Sequence, residues 1–198
     1  MTKSELRKIY LEKRRNIAAD ELAAKGQRIA NRFFESCDLS SIRVLHCFIP
    51  IAKFQEIDTQ LIYERIWSDF PWIKTVVPRV DSERGEIAHV AFSASTELTI
   101  NGWGITEPAG GELIDVKEID LVIVPLLCFD ELGHRVGYGK GFYDKFLSGC
   151  RPDCLKVGLS YFPPIETIDD IGGHDVQLDL IVTPERTYKI KEADMSAS

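Results

Sequence analysis

No part of this chain restricts its fold more than the stretch around Val124 to Leu147, where an apolar, strand-like run, IVPLLCFD, passes directly into ELGHRVGYGKGFYDKFL. A strand that ends in a glycine-rich, cationic turn and continues as a helix is built to hold phosphate. Gly133, Gly137, Gly139 and Gly141 remove Cβ atoms where a polyanion would approach the backbone, and they permit positive φ so that successive N–H groups can turn inward. Arg135 and Lys140 add positive charge to the same turn. Residues 142–147 read as the opening of a helix, whose free N–H groups and positive dipole end reinforce the attraction.

Two common phosphate-loop patterns fail here. A dinucleotide fingerprint needs Gly or Ala three positions after Gly139, and Phe142 stands there. A Walker loop needs Ser or Thr after Lys140 and a glycine five places before Gly139, where the chain has Gly141 and His134. Nucleotide chemistry, if present, belongs to a less common class.

The rest of the chain alternates strands with helices, the pattern of an α/β fold. Thr2 and Glu5 form a capping-box pattern for a first helix carrying Leu6, Ile9, Tyr10 and Lys13 along one side. A second helix spans roughly Asp20 to Glu35, a third Thr59 to Trp67, and a fourth follows the glycine turn. Strands are expected at Val44 to Ile49, Thr75 to Pro78, Ala88 to Phe92, Leu121 to Leu127, Leu155 to Tyr161 and Leu178 to Thr183. Leu121–Leu127 is apolar on both faces, as a buried parallel strand must be. The expectation is a single-domain, three-layer open sheet, mostly parallel, with helices on both faces, over residues 1–187. A polar tail, 188–198, follows. Ligands then belong at the carboxyl ends of the strands.

Composition narrows the function. A net charge of -7 argues against general nucleic-acid binding. No apolar run approaches the ~20 residues needed to cross a bilayer, and the first residues lack the apolar core of a signal peptide. The five cysteines are scattered, with no CxxC pair, and read as reduced structural thiols. A cytoplasmic enzyme without a nucleic-acid or membrane partner is expected, with a monomer as the default. Lys3 and Arg7, one helical turn apart, sit against electrostatic preference near a helix's positive end. A solvated basic face is the reading for Lys8, Lys13, Arg14 and Arg15.

The string GHRVGYGKGFYD resembles that of the 5-formyltetrahydrofolate cyclo-ligase family. Lys3-Ser-Glu-Leu-Arg7, Glu56-Ile-Asp58-Thr59, Trp103 in NGWGITEP, and His174-Asp175 followed by Asp179 and IVTPE resemble the family in the same order. The resemblance covers nearly the full chain. It implies ATP-dependent closure of 5-formyltetrahydrofolate, with or without a polyglutamate tail, to 5,10-methenyltetrahydrofolate, with Mg2+ on the nucleotide. It assigns Lys3, Arg7, Arg135, Gly137, Tyr138, Gly139, Lys140, Gly141, Phe142 and Tyr143 to ATP, with Arg135 and Lys140 in catalysis and Arg135 on the transferring phosphoryl group. It assigns Lys53, Glu56, Asp58, Trp103, Tyr138 and Phe142 to the folate, and joins Asp144 and Asp179 into a metal site. Read alone, those two acids are a helix-start acid and a strand-edge acid, Asp58 is a helix cap, and Trp103 is a core anchor. Two alternatives remain open: a sugar-phosphate isomerase or acyl-transfer enzyme of related architecture, and a noncatalytic folate or nucleotide binder.

Overall fold

The structure, a computed structural model of the 198-residue chain, describes residues 1–81 and 86–190. Four helices, α1 (Lys3–Arg15), α2 (Ala19–Ser36), α3 (Gln60–Asp69) and α4 (Phe142–Gly149), surround strands β1 (Val44–His46), β2 (Lys74–Asp81), β3 (Glu86–Phe92), β4 (Leu98–Ile100), β5 (Thr106–Pro108), β6 (Leu121–Pro125), β7 (Cys128–Phe129), β8 (Arg135–Val136), β9 (Leu155–Leu159), β10 (Leu180–Val182) and β11 (Thr187–Lys189). Seven strands form one sheet in the order β11-β10-β9-β6-β1-β2-β3. Its five inner strands run parallel, and β3 and β11 pair antiparallel at the two edges.

Side-chain alternation in the central strands decides which helix lies where. Leu121 and Ile123 of β6 face one layer with Ile29 and Phe33 of α2 and Ile62 and Ile66 of α3. Val122 and Val124 face the other, with Phe146 and Leu147 of α4. A two-sided apolar strand thus feeds both layers, and the expected three-layer sheet results. The first helix lies elsewhere. Its Leu6 and Tyr10 join Leu127, Cys128, Val136 and Ile168 in a third cluster, which carries α1 to the β7–β8 hairpin just beyond β6.

That hairpin is organised by Asp130, which is buried and accepts from the N–H groups of Leu132 and His134 at 3.1 and 2.9 Å. Gly133 has φ +85, and a Cβ there would stand 2.8 Å from Ile190 Cγ1 and 3.0 Å from the Leu178 carbonyl oxygen. Its glycine serves a close backbone approach away from any phosphate, which corrects the role expected of it. The same contact moves the domain boundary. Tyr188 packs edge-on against Phe129 with ring centroids 5.4 Å apart, and the Ile190 N–H donates to the Asp179 carbonyl at 3.0 Å. Tyr188 and Lys189, expected as tail, therefore belong to the edge strand β11, and Ile190 packs just beyond it. The remainder of the expected tail, 191–198, lies outside the described residues. The β4–β5 hairpin was also unforeseen, its strands being three residues each and largely exposed on β4.

One buried polar feature has thermodynamic weight. His46 on β1 is wholly buried with neither ring nitrogen hydrogen-bonded, and His89 on β3 lies beside it, ring centroids 5.2 Å apart, with Phe146 against both. Burial, and secondarily the neighbouring His89, holds His46 well below the ordinary range, and burial lowers His89 to about 4. The unfolded chain, with histidines near ~6.5, then binds more protons than the folded one below that pH. Stability from these groups is complete above about pH 6.5 and falls as pH drops toward 4, each group contributing up to ~1.4 kcal/mol per pH unit. Urea unfolding of His89→Phe between pH 7.5 and 4.5 should show a shallower pH dependence than the unsubstituted protein. An identical slope would remove His89 from the titration.

Candidate functional site

The loop from Gly137 to Gly141 lies between β8 and α4. Gly139 and Gly141 hold φ of +87 and +72, and a Cβ at Gly137 or Gly141 would meet nothing within 4 Å, so the loop's face is open at those two positions. Gly141 precedes α4 without a side-chain cap. The first N–H groups of that helix are therefore free to meet an anion.

Cations ring this loop. Arg7 of α1 donates from Nε to the Gly137 carbonyl at 2.8 Å, and its guanidinium lies so close that a Cβ on Gly139 would stand 3.0 Å from its central carbon. Lys140 is exposed at the loop's tip. Lys3 pairs with Asp175, whose carboxylate also accepts from the Gly172 N–H at 2.7 Å. Burial, the largest influence on Asp175, pushes its carboxyl up, but the Lys3 and Gly172 donors outweigh it and hold the group below the ordinary carboxylate range. The Lys3 N–H donates to Asp170 at 2.6 Å, which fixes the start of α1 to the loop between β9 and β10.

Arg135 departs from its expected place. It is 7% exposed, donating through Nη1 to the Val176 carbonyl at 2.6 Å and through Nη2 to Asp144 at 2.8 Å. Burial lowers its pKa, while Asp144 and then Asp175 oppose that effect. It clamps Asp144 and the segment at 175–176 against the loop.

The two acids of the expected metal pair share no partner. Asp144 lies in the first turn of α4, beside the loop. Asp179 precedes β10 at the amino end of the sheet and accepts from the Lys156 N–H at 2.7 Å and from Lys156 Nζ at 3.4 Å. It ties β9 to β10 at the end opposite the loop. The Val176 N–H donates to Asp144 Oδ1 at 3.3 Å, so the segment that carries Asp175 runs past Asp144, and Arg135 feels both carboxylates. Asp144 Oδ2 has no partner among the described residues. Two acids four positions apart in one segment, HDVQLD, left the sequence unable to say which of them faces the loop.

Beside the loop lies a second region, walled by acid and aromatic groups. Phe54 stacks on Tyr138 with centroids 4.8 Å apart and an interplanar angle of 26°. The carboxylate of Glu56 accepts from the Ile51 N–H at 2.7 Å and lies near the Tyr138 hydroxyl. Burial raises the Glu56 pKa, opposed by those two donors and by the charge of Arg14. Lys53 Nζ donates to the Trp103 carbonyl at 3.2 Å and lies over the Phe54 ring. Trp103, at the β4–β5 turn, is 48% exposed, so the core-anchor reading fails and an open aromatic face remains. Phe142 is half-buried at the start of α4.

Two expected contacts go elsewhere. Asp58 is exposed and accepts from the Gln60 N–H at 3.0 Å, capping α3; of the two acids in that segment, Glu56 faces the site. Tyr143 packs against the core beneath α4, its ring 6.3 Å from that of His46 and its hydroxyl buried without a partner, which leaves only its backbone for the loop.

Arg14 was misread as solvated. It is 2% exposed, donating to the Tyr138 hydroxyl at 2.9 Å, the Leu126 carbonyl at 2.6 Å and the Phe54 carbonyl at 3.4 Å. The signal was present in the spacing: positions 6, 10 and 14 repeat every four residues on one helix face, and the first two are apolar. Phe54, equally central, had no local signal.

A test of the loop follows from Gly139. Gly139→Ala forces a residue with a Cβ into positive φ against Arg7, which should cost roughly 1–3 kcal/mol. Binding of inorganic triphosphate, followed by calorimetry, should weaken at least about tenfold, and unchanged affinity would remove this loop from anion binding.

The chain is similar to known proteins over most of its length. The sequence model of the 5-formyltetrahydrofolate cyclo-ligase family matches residues 1–184. A probable 5-formyltetrahydrofolate cyclo-ligase from Schizosaccharomyces pombe is 36% identical over 112 residues, covering 50% of this chain and 55% of the relative. The mitochondrial 5-formyltetrahydrofolate cyclo-ligase of Arabidopsis thaliana is 31% identical over 182 residues, covering 80% and 63%. The chain thus spans under two thirds of the length of these two relatives. The solution structure of Aquifex aeolicus 5,10-methenyltetrahydrofolate synthetase superposes with a TM-score of 0.83 at 26% identity, covering 100% of this chain and 97% of that one.

Proposed function

The chain belongs to the 5-formyltetrahydrofolate cyclo-ligase family, and from that premise we propose that it uses ATP to close 5-formyltetrahydrofolate into 5,10-methenyltetrahydrofolate, releasing ADP and phosphate. The observation that carries the reading is a single residue, Tyr138. It belongs to the cation-ringed loop and also walls the acid and aromatic region, so a nucleotide on one side and a pterin on the other would meet at it.

The chemistry needs little beyond placement. A formyl amide is a poor electrophile until its oxygen attacks the γ-phosphorus and expels ADP. N10 then adds to the activated carbon and loses its proton, and the C–O bond to phosphate breaks. For the first step positioning and charge neutralisation matter more than a protein nucleophile. Lys140, Arg7 and the loop N–H groups are the chain's means of neutralising phosphate charge. Glu56 supplies acceptor oxygens for pterin N–H donors, while Trp103, Phe142 and the Phe54–Tyr138 stack offer ring faces.

Mg2+ fits the residues present. Among the described residues no cluster of three or more metal-ligating side chains forms, so an ion here would take most of its ligands from phosphate oxygens and water. Asp144, with one carboxylate oxygen unpartnered, and Asp175 across Arg135 are the acids that would hold it. When bound, it supplies charge neutralisation on the triphosphate. The reading includes a reducing, cytoplasmic setting, supported by five unpaired, buried cysteines.

Turnover is read from the near-ultraviolet absorbance of the conjugated product. Asp144→Asn should reduce kcat at least about a hundredfold with the fold intact, and Asp179→Asn should retain most activity; the reverse order would restore the pair expected from sequence. Trp103→Ala, a change at an exposed ring, should raise KM for the formyl folate about tenfold with little loss of thermal stability. A large drop in Tm with unchanged KM would contradict its place in the site. No product from the unsubstituted protein with formyl folate and MgATP would end the proposal.

A further inference from the structure

Arg14 is a wholly buried cation without an ion pair among the described residues. Its guanidinium donates only to two carbonyl oxygens and a phenol, and its Nε finds no partner. Burying a charge in this way is unfavourable by several kcal/mol unless a countercharge is near. The nearest carboxylate in its network is Glu56, and Tyr138 stands between them. The phenol oxygen accepts from Arg14 at 2.9 Å, and Glu56 lies close enough on the other side of the ring's hydroxyl to act on it. Cation and phenol are joined directly, and the carboxylate stands beside the phenol.

Each remaining contact of Arg14 holds another part of the same wall. The Phe54 carbonyl fixes the residue whose ring stacks on Tyr138, and the Leu126 carbonyl fixes the chain as it leaves β6. We propose that Arg14 is a positioning residue for the folate half of the site: acting through Tyr138 and the Phe54 carbonyl, it keeps the Phe54–Tyr138 stack in place beside Glu56, for a flat heterocycle that presents N–H donors. This inference rests on the proposed function for the identity of the ligand, but the Arg14–Glu56 coupling does not.

Other groups facing Glu56 are few. Tyr138 and Tyr161 meet it through hydroxyls, Tyr161 donating to its carbonyl at 3.3 Å, and Tyr143 lies near enough to feel its charge. Phenols stay neutral across the working pH range, so Arg14 is the permanent charge among the groups that act on Glu56. Removing it raises the pH at which Glu56 becomes an acceptor.

The test uses Arg14→Met, which fills the space without charge, Arg14→Lys, which keeps charge without the planar fork, and Tyr138→Phe, which cuts the connection without touching the buried arginine. In the full-length protein carrying 13C-labelled glutamate, the Glu56 carboxyl signal, assigned by its loss in Glu56→Gln, should titrate at least about one pH unit higher in Arg14→Met and in Tyr138→Phe, and return toward the unsubstituted value in Arg14→Lys. In kinetics, Arg14→Met should raise KM for the formyl folate at neutral pH about tenfold and leave KM for ATP within twofold. The acid limb of kcat/KM for folate should move with the Glu56 titration. If Arg14→Met does not fold, Tyr138→Phe decides the titration alone. An unmoved Glu56 signal, or equal losses toward both substrates, overturns the inference. Absence of turnover in the unsubstituted protein with a shifted Glu56 signal would overturn the proposed function and leave the coupling standing.

Discussion

The site depends on α1 lying across the carboxyl end of the sheet with its cations turned inward. Lys3, Arg7 and Arg14 fall on neighbouring turns of one helix face, and each is held by a different loop: the segment at 172–175, the glycine turn, and the walls formed by Phe54, Leu126 and Tyr138. What anchors the helix is apolar contact through Leu6 and Tyr10. What it presents is charge. Its N-terminal cations oppose the helix dipole, a modest cost of about 0.3–1 kcal/mol each that nearby carboxylates offset. Without the helix, the glycine turn would be an exposed loop with one lysine.

The two arginines that meet the turn from opposite sides do different work. Arg7 packs against Gly139, whose φ of +87 favours glycine, and so ties the geometry of the turn to the position of α1. Arg135, buried beneath, shares its guanidinium between Asp144 and the Val176 carbonyl and so ties α4 to the chain before β10. The turn is thereby fixed from both faces by planar groups that can each serve two partners, a task a lysine at either place would do poorly.

The fold was legible in the sequence because its signals are local. Two-sided apolar runs gave β6 and β9, a capping box gave α1, and the glycine-rich string placed α4 within a residue or two. The short hairpins and β11 escaped because strands of two or three residues carry too little alternation to be read. In the candidate site, the glycine turn was visible from residue type, whereas Glu56 and Asp58 could not be told apart until burial and partners separated them, Glu56 turned inward to the Ile51 N–H and Asp58 exposed at the start of α3. Arg14 was open to reading and was passed over: charge was weighed above periodicity, although Leu6 and Tyr10 had already marked that face as buried. Phe54 lies next to a lysine in a short helical turn, and only tertiary stacking reveals it.

The ion pair between Lys3 and Asp175 joins residues 172 positions apart, and the bond from Arg7 to Gly137 spans 130. During synthesis α1 emerges long before either partner exists. Its amphipathic face must wait on the ribosome until the polypeptide through β9 and the following loop has been made, so binding competence arrives late in translation and as a single event, with loop-closure entropy setting its pace.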